Sequence, residues 1–466
     1  MPPVTQDEAL ALARELVESS SATETEVTVE SCEDRFVRFA DTGPTQNADR
    51  ERVDVSIRVR LAAEPGGSGG GFREARATCG SLDPLHTGPA LERALMLARL
   101  SAPNPDLMPL GGAVSVPETA PQRPTMDHTF REKAAWVNAA TEACSAEGLA
   151  PSGLIQTTAL ARTLVNSAGR EVQGARTRAS FSLTAGPFVA KPTGEGGPAG
   201  SGCAEAIASN VERIDAGRVI ARAVDKAVRG RETHAIDAGE YTVVLEPAAV
   251  SSMLLFAAYC GFGAQEVHEK SSFLCGRIGE RLFSPGLSIR DDAANEVYPG
   301  LPFDGEGAPK APLTLLEDGC LRGPVTDARW ASKLSRPNTG HGQPQPTTEG
   351  PAPSNLIVDA GQQSLEELIG GVKRGLLVSQ FHYTNMIEPL DLTLTGMTRN
   401  GTFLIEDGKL SHAVRNLRFT ETLVNALSRV TGIGAEREVA GALFEGEIVC
   451  PALRIERFRF TSTTDF

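Results

Sequence analysis

The sequence lacks the features that mark a disulfide-stapled, nucleic-acid-binding or membrane-inserted protein. Its 8 cysteines (Cys32, Cys79, Cys144, Cys203, Cys260, Cys275, Cys320 and Cys450) are scattered and show no CxxC spacing. That argues against a disulfide framework or a zinc ribbon and leaves reduced, mostly buried thiols. Positive charge is in deficit: 45 Lys and Arg stand against 59 Asp and Glu, a net charge of -14. Counterion release from a phosphate backbone is then no source of affinity, so neither nucleic acid nor an anionic membrane is expected as a partner. No basic n-region or apolar h-region opens the chain, so no export signal is read and the cytoplasm is the expected compartment. One apolar run, Pro247 to Gln265, carries no charge and approaches the length of a spanning helix. Ser251, Ser252, Gly261 and Gly263 dilute it and no basic flank orients it, which favours a buried segment over a membrane span.

What remains is ordinary globular material. With 466 residues and 41% hydrophobic residues, the chain predicts two or three domains, each able to bury a core. Gln6 to Ser19 reads as an amphipathic helix, with Asp7 and Glu8 suited to its start. Val53, Val55, Ile57, Val59 and Leu61 alternate with polar residues, the period of a half-buried strand. A glycine-rich stretch between Glu64 and Phe72 predicts a flexible hairpin connection into a strand over Phe72 to Cys79. A helix over Thr87 to Ser101 and a proline-rich crossover follow, then a second layout of helix (Arg131 to Glu147), strands (Leu154 to Val165, Arg176 to Leu183), a loose stretch (Thr193 to Gly202) and helix (Asn210 to Arg231). From Tyr241 the texture changes to short strands with Asp304-Gly305, Asp318-Gly319, Asn400-Gly401 and Asp407-Gly408 as turn signals. The expected fold class is α+β: an N-terminal α/β region of helix and antiparallel strands (1–110), a central α+β domain (111–232) and a β-rich C-terminal domain (233–466).

Several stretches carry a resemblance: Val165 to Gly169, Tyr241 to Pro247, Lys270 to Phe273, Phe303 to Gly307, Phe381 to Asn385, Leu394 to Phe403 and Pro451 to Glu456. In this order they resemble the TldD/PmbA family along the whole chain. The resemblance implies dimers that enclose a chamber for unfolded peptides. Members of the TldD kind carry HExxxH after the segment matching Leu245-Glu246-Pro247, and a later Cys resembles a third ligand. Such a set holds zinc through neutral imidazoles and a thiolate, and the Glu takes a proton from the bound water. Anchored on Lys270-Ser271-Ser272, the six motif places fall on Phe256, Ala257, Ala258, Tyr259, Cys260 and Gly261. Neither ligand His nor the Glu is present, and Phe256 and Gly261 offer no lone pair.

That departure resembles the TldE/PmbA branch, which lacks the motif. The resemblance therefore implies a non-metal-binding subunit with no cofactor of its own, zinc on a TldD-like partner, a heterodimer, and a homodimer when isolated. Two other classes stay open: a self-sufficient homodimeric hydrolase with an unrecognised site, and a peptide-binding protein without catalysis. Candidate chamber residues are His268, Lys270, His382, Asn385 and Arg399; for each the plainer reading is a satisfied helix-end or sheet residue. Cys260 and Cys450 sit in apolar surroundings that suit inert thiols rather than nucleophiles. Asp291-Asp292 and Glu366-Glu367 read as solvated surface, and Lys270-Ser271-Ser272 as a turn rather than a Ser-Lys dyad.

Overall fold

The structure, a computed structural model, describes residues 4–63, 71–187, 200–443 and 446–464. Most of the stretch between Glu64 and Phe72, and of the loose stretch Thr193 to Gly202, therefore falls outside the described residues.

Helix α1 (Gln6–Ser19) starts on a capping box in which Thr5 Oγ1 accepts from the Glu8 amide and the Glu8 carboxylate accepts from the Thr5 amide. Then come β1 (Glu24–Ala40), β2 (Gly43–Ala62), β3 (Phe72–Cys79), α2 (Pro84–Leu100), α3 (Arg123–Met126), α4 (Phe130–Ala146), β4 (Leu149–Asn166), β5 (Glu171–Pro187), β6 (Gly202–Ala208) and α5 (Ala216–Arg229). The six strands form one antiparallel sheet in the order β3-β2-β1-β4-β5-β6. Pairing of β1 with β4, from Glu26↔Asn166 to Ala40↔Ser152, joins the two helix-and-strand layouts read in the sequence.

The two faces of this sheet differ because side chains alternate along a strand. Val27, Val29, Val55, Ile57 and Val59 pack beneath α1 and α2, and Val37, Phe39, Ile155 and Phe181 beneath α4 and α5. The opposite face is charged and still buried: Arg58 and Arg60 are each 3% exposed and Glu26 4%. Arg58 pairs with Glu26 at 2.8 Å, Arg60 with Glu74 at 2.6 Å and Arg162 with Glu30 at 2.8 Å. The C-terminal half covers this face, and Arg170 Nη1 donates to the Glu306 carbonyl at 2.9 Å.

The C-terminal half comprises β7 (Thr233–His234), β8 (Gly239–Leu245), α6 (Pro247–Cys260), α7 (Ala264–His268), β9 (Ile289–Asp291), β10 (Leu313–Glu317), β11 (Cys320–Leu321), α8 (Ala328–Leu334), β12 (Leu356–Val358), α9 (Leu365–Gly370), β13 (Arg374–Glu388), β14 (Thr393–Glu406), β15 (Lys409–Val414), β16 (Leu417–Thr422), α10 (Leu423–Ser428), β17 (Val430–Ala442) and β18 (Glu447–Thr463). Twelve strands form one mixed sheet, with β8 held between β13 and β18. Helix α6 lies over these central strands, where Met253 and Leu254 join Val243, Leu376, Leu453 and Ile455 in the main core. The fold is thus mixed α+β, as the sequence predicts. The apolar segment resolves into a 14-residue helix ending at Cys260, and no helix among the described residues is long and apolar enough to cross a membrane.

Two sequence readings change, at Asn400-Gly401 and at Asp291. Asn400-Gly401 is not a turn between strands: with φ of 57° and 126° it forms a bulge inside β14 opposite Ser379. Asp304-Gly305 does open a turn, the Gly307 amide donating to the Asp304 carbonyl at 3.0 Å between bridged Phe303 and Pro309; Asp304 is buried, and its carboxylate accepts from the amides of Glu306, Ala308 and Gly342. Asp318-Gly319 and Asp407-Gly408 do take positive φ at both residues and close two-residue hairpins. Asp291 is not solvated surface: it is 1% exposed, 3.2 Å from His341 Nε2, and accepts from the Ser354 and Asn355 amides.

Two buried carboxylates shift in opposite directions. Burial raises the affinity of Glu246 for a proton, but Lys226 at 2.6 Å and Arg222 at 3.1 Å outweigh it and hold the carboxyl at about 2. Glu306 is pushed up to about 8, first by burial and then by the adjacent Asp304 charge. Glu246 therefore contributes stability above its unfolded value near 4.5, lost as pH falls through about 2. Glu306 takes up a proton on folding, so its influence runs the other way: stability falls as pH rises from about 4.5 to about 8. Glu246→Ala is expected to cost ~3 kcal/mol at neutral pH in urea unfolding, because it leaves Lys226 buried without its anion. Glu306→Gln should flatten the stability profile between those two pH values and raise the urea midpoint at pH 9 above that of the parent.

Candidate functional site

Two places in the C-terminal half bear on function: the helix on which the sequence reading places the zinc-motif positions, and a cavity beside the β13–β14 pair.

Helix α6 begins at Pro247, whose missing N–H costs nothing in a first turn. Its polar atoms serve packing: Ser251 Oγ donates to the Ala440 carbonyl at 2.6 Å and Ser252 Oγ to the Ala248 carbonyl at 2.8 Å. At the motif places, Phe256 packs half-buried against the core and Ala257 and Ala258 are fully buried. Gly261 ends the helix in a closed space. A β-carbon built there would lie 2.4 Å from Phe273 Cε1 and 2.8 Å from the Ala257 carbonyl oxygen. Ser272 fixes this junction, its hydroxyl donating to the Gly261 carbonyl at 2.6 Å and accepting from the Leu274 amide at 3.0 Å. An imidazole has no room at position 261 and the other two places carry no donor, so the residues present do not fit a zinc ion. Among the described residues no three His, Cys, Asp or Glu converge as a metal-holding group.

The thiols near α6 are poor nucleophiles. Cys450 is fully buried, its Sγ 3.4 Å from the Pro247 carbonyl, and burial pushes its pKa up. Burial and the Glu266 charge push Cys260 up as well. A thiolate is disfavoured at both.

The cavity measures about 320 Å³ and is walled by β14, the end of β15 and the Gly200-Ser201 approach to β6. Two bulges shape it. The Asn400-Gly401 bulge is required by close packing, since a β-carbon on Gly401 would meet Ser379 Oγ at 2.8 Å. A second lies between His382 and Asn385 on β13, where Tyr383 takes φ of 50°. Asn400 is fixed from both sides, accepting from Ser201 Oγ at 2.6 Å and donating to Gln380 Oε1 at 2.9 Å. His382 and Arg399 both line the cavity; burial, then the Arg399 charge, lowers the imidazole pKa and favours the neutral ring.

The other nominated residues lie elsewhere. Asn385 falls beyond the second bulge, exposed, its Oδ1 accepting from the Met386 amide. His268 is the exposed last residue of α7, its ring 5.3 Å from that of Trp330, and Lys270 is exposed with φ of 60°. The structure thus brings together His382 and Arg399 but not His268, Lys270 or Asn385. Sequence reading missed Asn400 as a wall residue because Asn-Gly signals a turn more strongly than a bulge. It also missed Arg222 and Lys226, although Arg218, Arg222 and Lys226 recur at the four-residue spacing of one helix face. Each finds an acid: Arg218 with Glu436 at 2.8 Å, Arg222 with Glu438 at 2.7 Å, and Lys226 with Glu246.

The tight packing at Gly261 gives a direct prediction. Gly261→Ala should lower stability by about 2 kcal/mol, the usual scale for overpacking a filled core, read as a drop in the urea midpoint. An unchanged midpoint would contradict the closed space.

Comparison with known proteins agrees with this architecture. Residues 126–231 match the PmbA/TldA metallopeptidase central domain and residues 238–462 the PmbA/TldA metallopeptidase C-terminal domain. A metalloprotease of Methanothermobacter thermautotrophicus is 24% identical over 334 residues, 70% of this chain and 72% of that protein. A metalloprotease TldD homolog of Haemophilus influenzae is 28% identical over 222 residues, 47% of this chain and 45% of that protein. The crystal structure of TldE from Thermococcus kodakarensis superposes with a TM-score of 0.83 at 18% identity, covering 98% of this chain and 99% of that one. The resemblance read from the short stretches is borne out: the chain belongs to the PmbA/TldD metallopeptidase family.

Proposed function

We propose that this chain is a TldE-like, non-metal-binding subunit that pairs with a zinc-bearing TldD-like chain and completes a chamber in which unfolded peptides are cleaved. One observation carries the reading. The fold matches from end to end, yet the helix on which the sequence reading places the zinc motif is used as core, and a side chain at Gly261 would run into Phe273. A protein that keeps the scaffold and fills the metal place has a role in binding and assembly rather than in activating water.

The cavity beside β14 supports the peptide side of the reading. Its volume falls at the small end of ordinary ligand sites, about 300–1,000 Å³. Apolar Met397, Phe403 and Val414 stand in its wall beside hydrogen-bonding Thr398, Asn400 and Asn416, a mixture suited to an extended peptide segment. The neutral His382 ring adds one donor and one acceptor. Work on a pool of free peptides suits an acidic chain, and neither nucleic acid nor membrane enters the proposed role.

Co-expression tests the proposal. Together with a TldD-like chain, this protein should co-elute as a heterodimer, and the pair should degrade an unfolded polypeptide such as reduced casein while neither chain alone does. Chelator-insensitive cleavage by the isolated chain would instead identify a self-sufficient hydrolase. Failure of the two chains to associate would leave a peptide-binding protein without a peptidase partner.

A further inference from the structure

The charge of the β14 cavity is opposite to that of the chain. Where the whole sequence carries 59 acids against 45 bases, the wall contains Arg399, Arg415 and His382 and, among the described residues, no Asp or Glu. Most arginines that line the buried seams of this protein are spent on carboxylates: Arg58, Arg60, Arg162, Arg178 and Arg222 all have acidic partners. Arg399 and Arg415 have none within ion-pair distance among the described residues. Two arginines thus line one cavity with no acidic partner among the described residues.

A second, independent feature lies in the same wall. Thr402 is 3% exposed, and its Oγ1 has no hydrogen-bond partner. A buried hydroxyl left unpaired costs about 1–3 kcal/mol unless something else satisfies it. It lies next to the Asn400-Gly401 bulge, which is anchored by Ser201 and Gln380. The neighbouring Thr398 hydroxyl is occupied, accepting from the Leu417 amide at 3.0 Å. The wall therefore combines Arg399 and Arg415, without acidic partners among the described residues, and a largely neutral imidazole around an apolar patch of Met397, Phe403 and Val414, with the Thr402 hydroxyl sealed behind it.

We infer that this cavity is a carboxylate-binding subsite, in which Arg399 and Arg415 grip the carboxylate of a peptide while the Met397, Phe403 and Val414 patch receives the adjoining side chain. The chemistry follows from fork geometry. A guanidinium presents two parallel N–H donors to a carboxylate, and charge-assisted bonds of this kind are about twice as strong as neutral ones. The carboxylate can come from a peptide C-terminus or from an Asp or Glu side chain, and the wall accepts either. The inference rests on the peptide-chamber reading for its biological setting, but the site itself is a property of this chain alone.

Calorimetric titration of the isolated chain separates the cases with three probes: acetyl-Ala-Ala-Leu with a free carboxylate, the same peptide as its amide, and acetyl-Ala-Glu-Ala amide. The free acid should bind at least about tenfold more tightly than its amide, a difference of one charge-assisted contact. Arg399→Gln and Arg415→Gln should each remove most of that preference and leave amide binding unchanged, while Arg399→Lys retains part of it. Added salt should weaken the acid and not the amide. Tight binding of the glutamate amide supports the subsite and names the side chain as its source. Equal binding of acid and amide, or inorganic phosphate displacing the acid at equal affinity, overturns it. Turnover by the co-purified complex distinguishes the two levels. Cleavage of acid and amide substrates with the same KM, unchanged by Arg399→Gln, removes the subsite and leaves the peptidase reading intact. Absence of cleavage with acid binding preserved removes the peptidase reading and leaves the subsite.

Discussion

The Glu246 carboxylate, sunk between Lys226 and Arg222, is the interaction on which the arrangement of this protein depends. It stands where β8 ends and α6 begins, so whatever holds it also sets the start of that helix. A lone carboxylate at that depth would be untenable. Held by two cations from α5, it becomes a fixed link between the α5 layer of the N-terminal sheet and the central strands of the C-terminal sheet. Arg222 reaches on to Glu438 of β17, so one helix face clasps both the entry to α6 and the strand beyond it. The charged face of the N-terminal sheet, with Arg58, Arg60 and Arg162 in buried ion pairs, extends the same principle across the seam. These contacts are directional, so they specify how the two halves meet more than they add to stability.

Beyond that link, α6 behaves as core. Its residues are uncharged and face apolar neighbours on most sides, which is the pattern of a helix embedded between layers rather than one presenting a reactive face. Gly261 and Phe273 fix its end, and Ser272 ties the following turn to the same point. An imidazole at 261 would have to displace an aromatic ring from a filled interior, where close packing leaves no slack.

The fold was legible in the sequence where period and turn chemistry act locally. The alternation from Val53 to Leu61 and the helix from Gln6 to Ser19 appear where the spacing predicts them, because each depends on its own burial pattern. Asn400-Gly401 was misread because positive φ is equally useful in a hairpin turn and in a bulge. Only the partner strand, with Ser379 opposite Gly401, decides between them. Asp291 was misread because its partner His341 lies fifty positions along the chain, and burial of a carboxylate depends on such distant pairing. Of the candidate site, His382 and Arg399 were nominated through their family-matching context, and both line the β14 cavity. Arg415 was not, because it reaches the cavity from a different strand end with no local signal.

The reading that joins these features is a subunit that kept the scaffold, filled the metal place and retained a cationic peptide-facing cavity. Elemental analysis tests it most directly, applied to the isolated chain and to the chain co-purified with a TldD-like partner after dialysis against weak chelator. The account predicts no stoichiometric transition metal in the isolated chain and roughly one zinc per heterodimer, bound by the partner's motif. A tightly held, stoichiometric zinc in the isolated chain would contradict it.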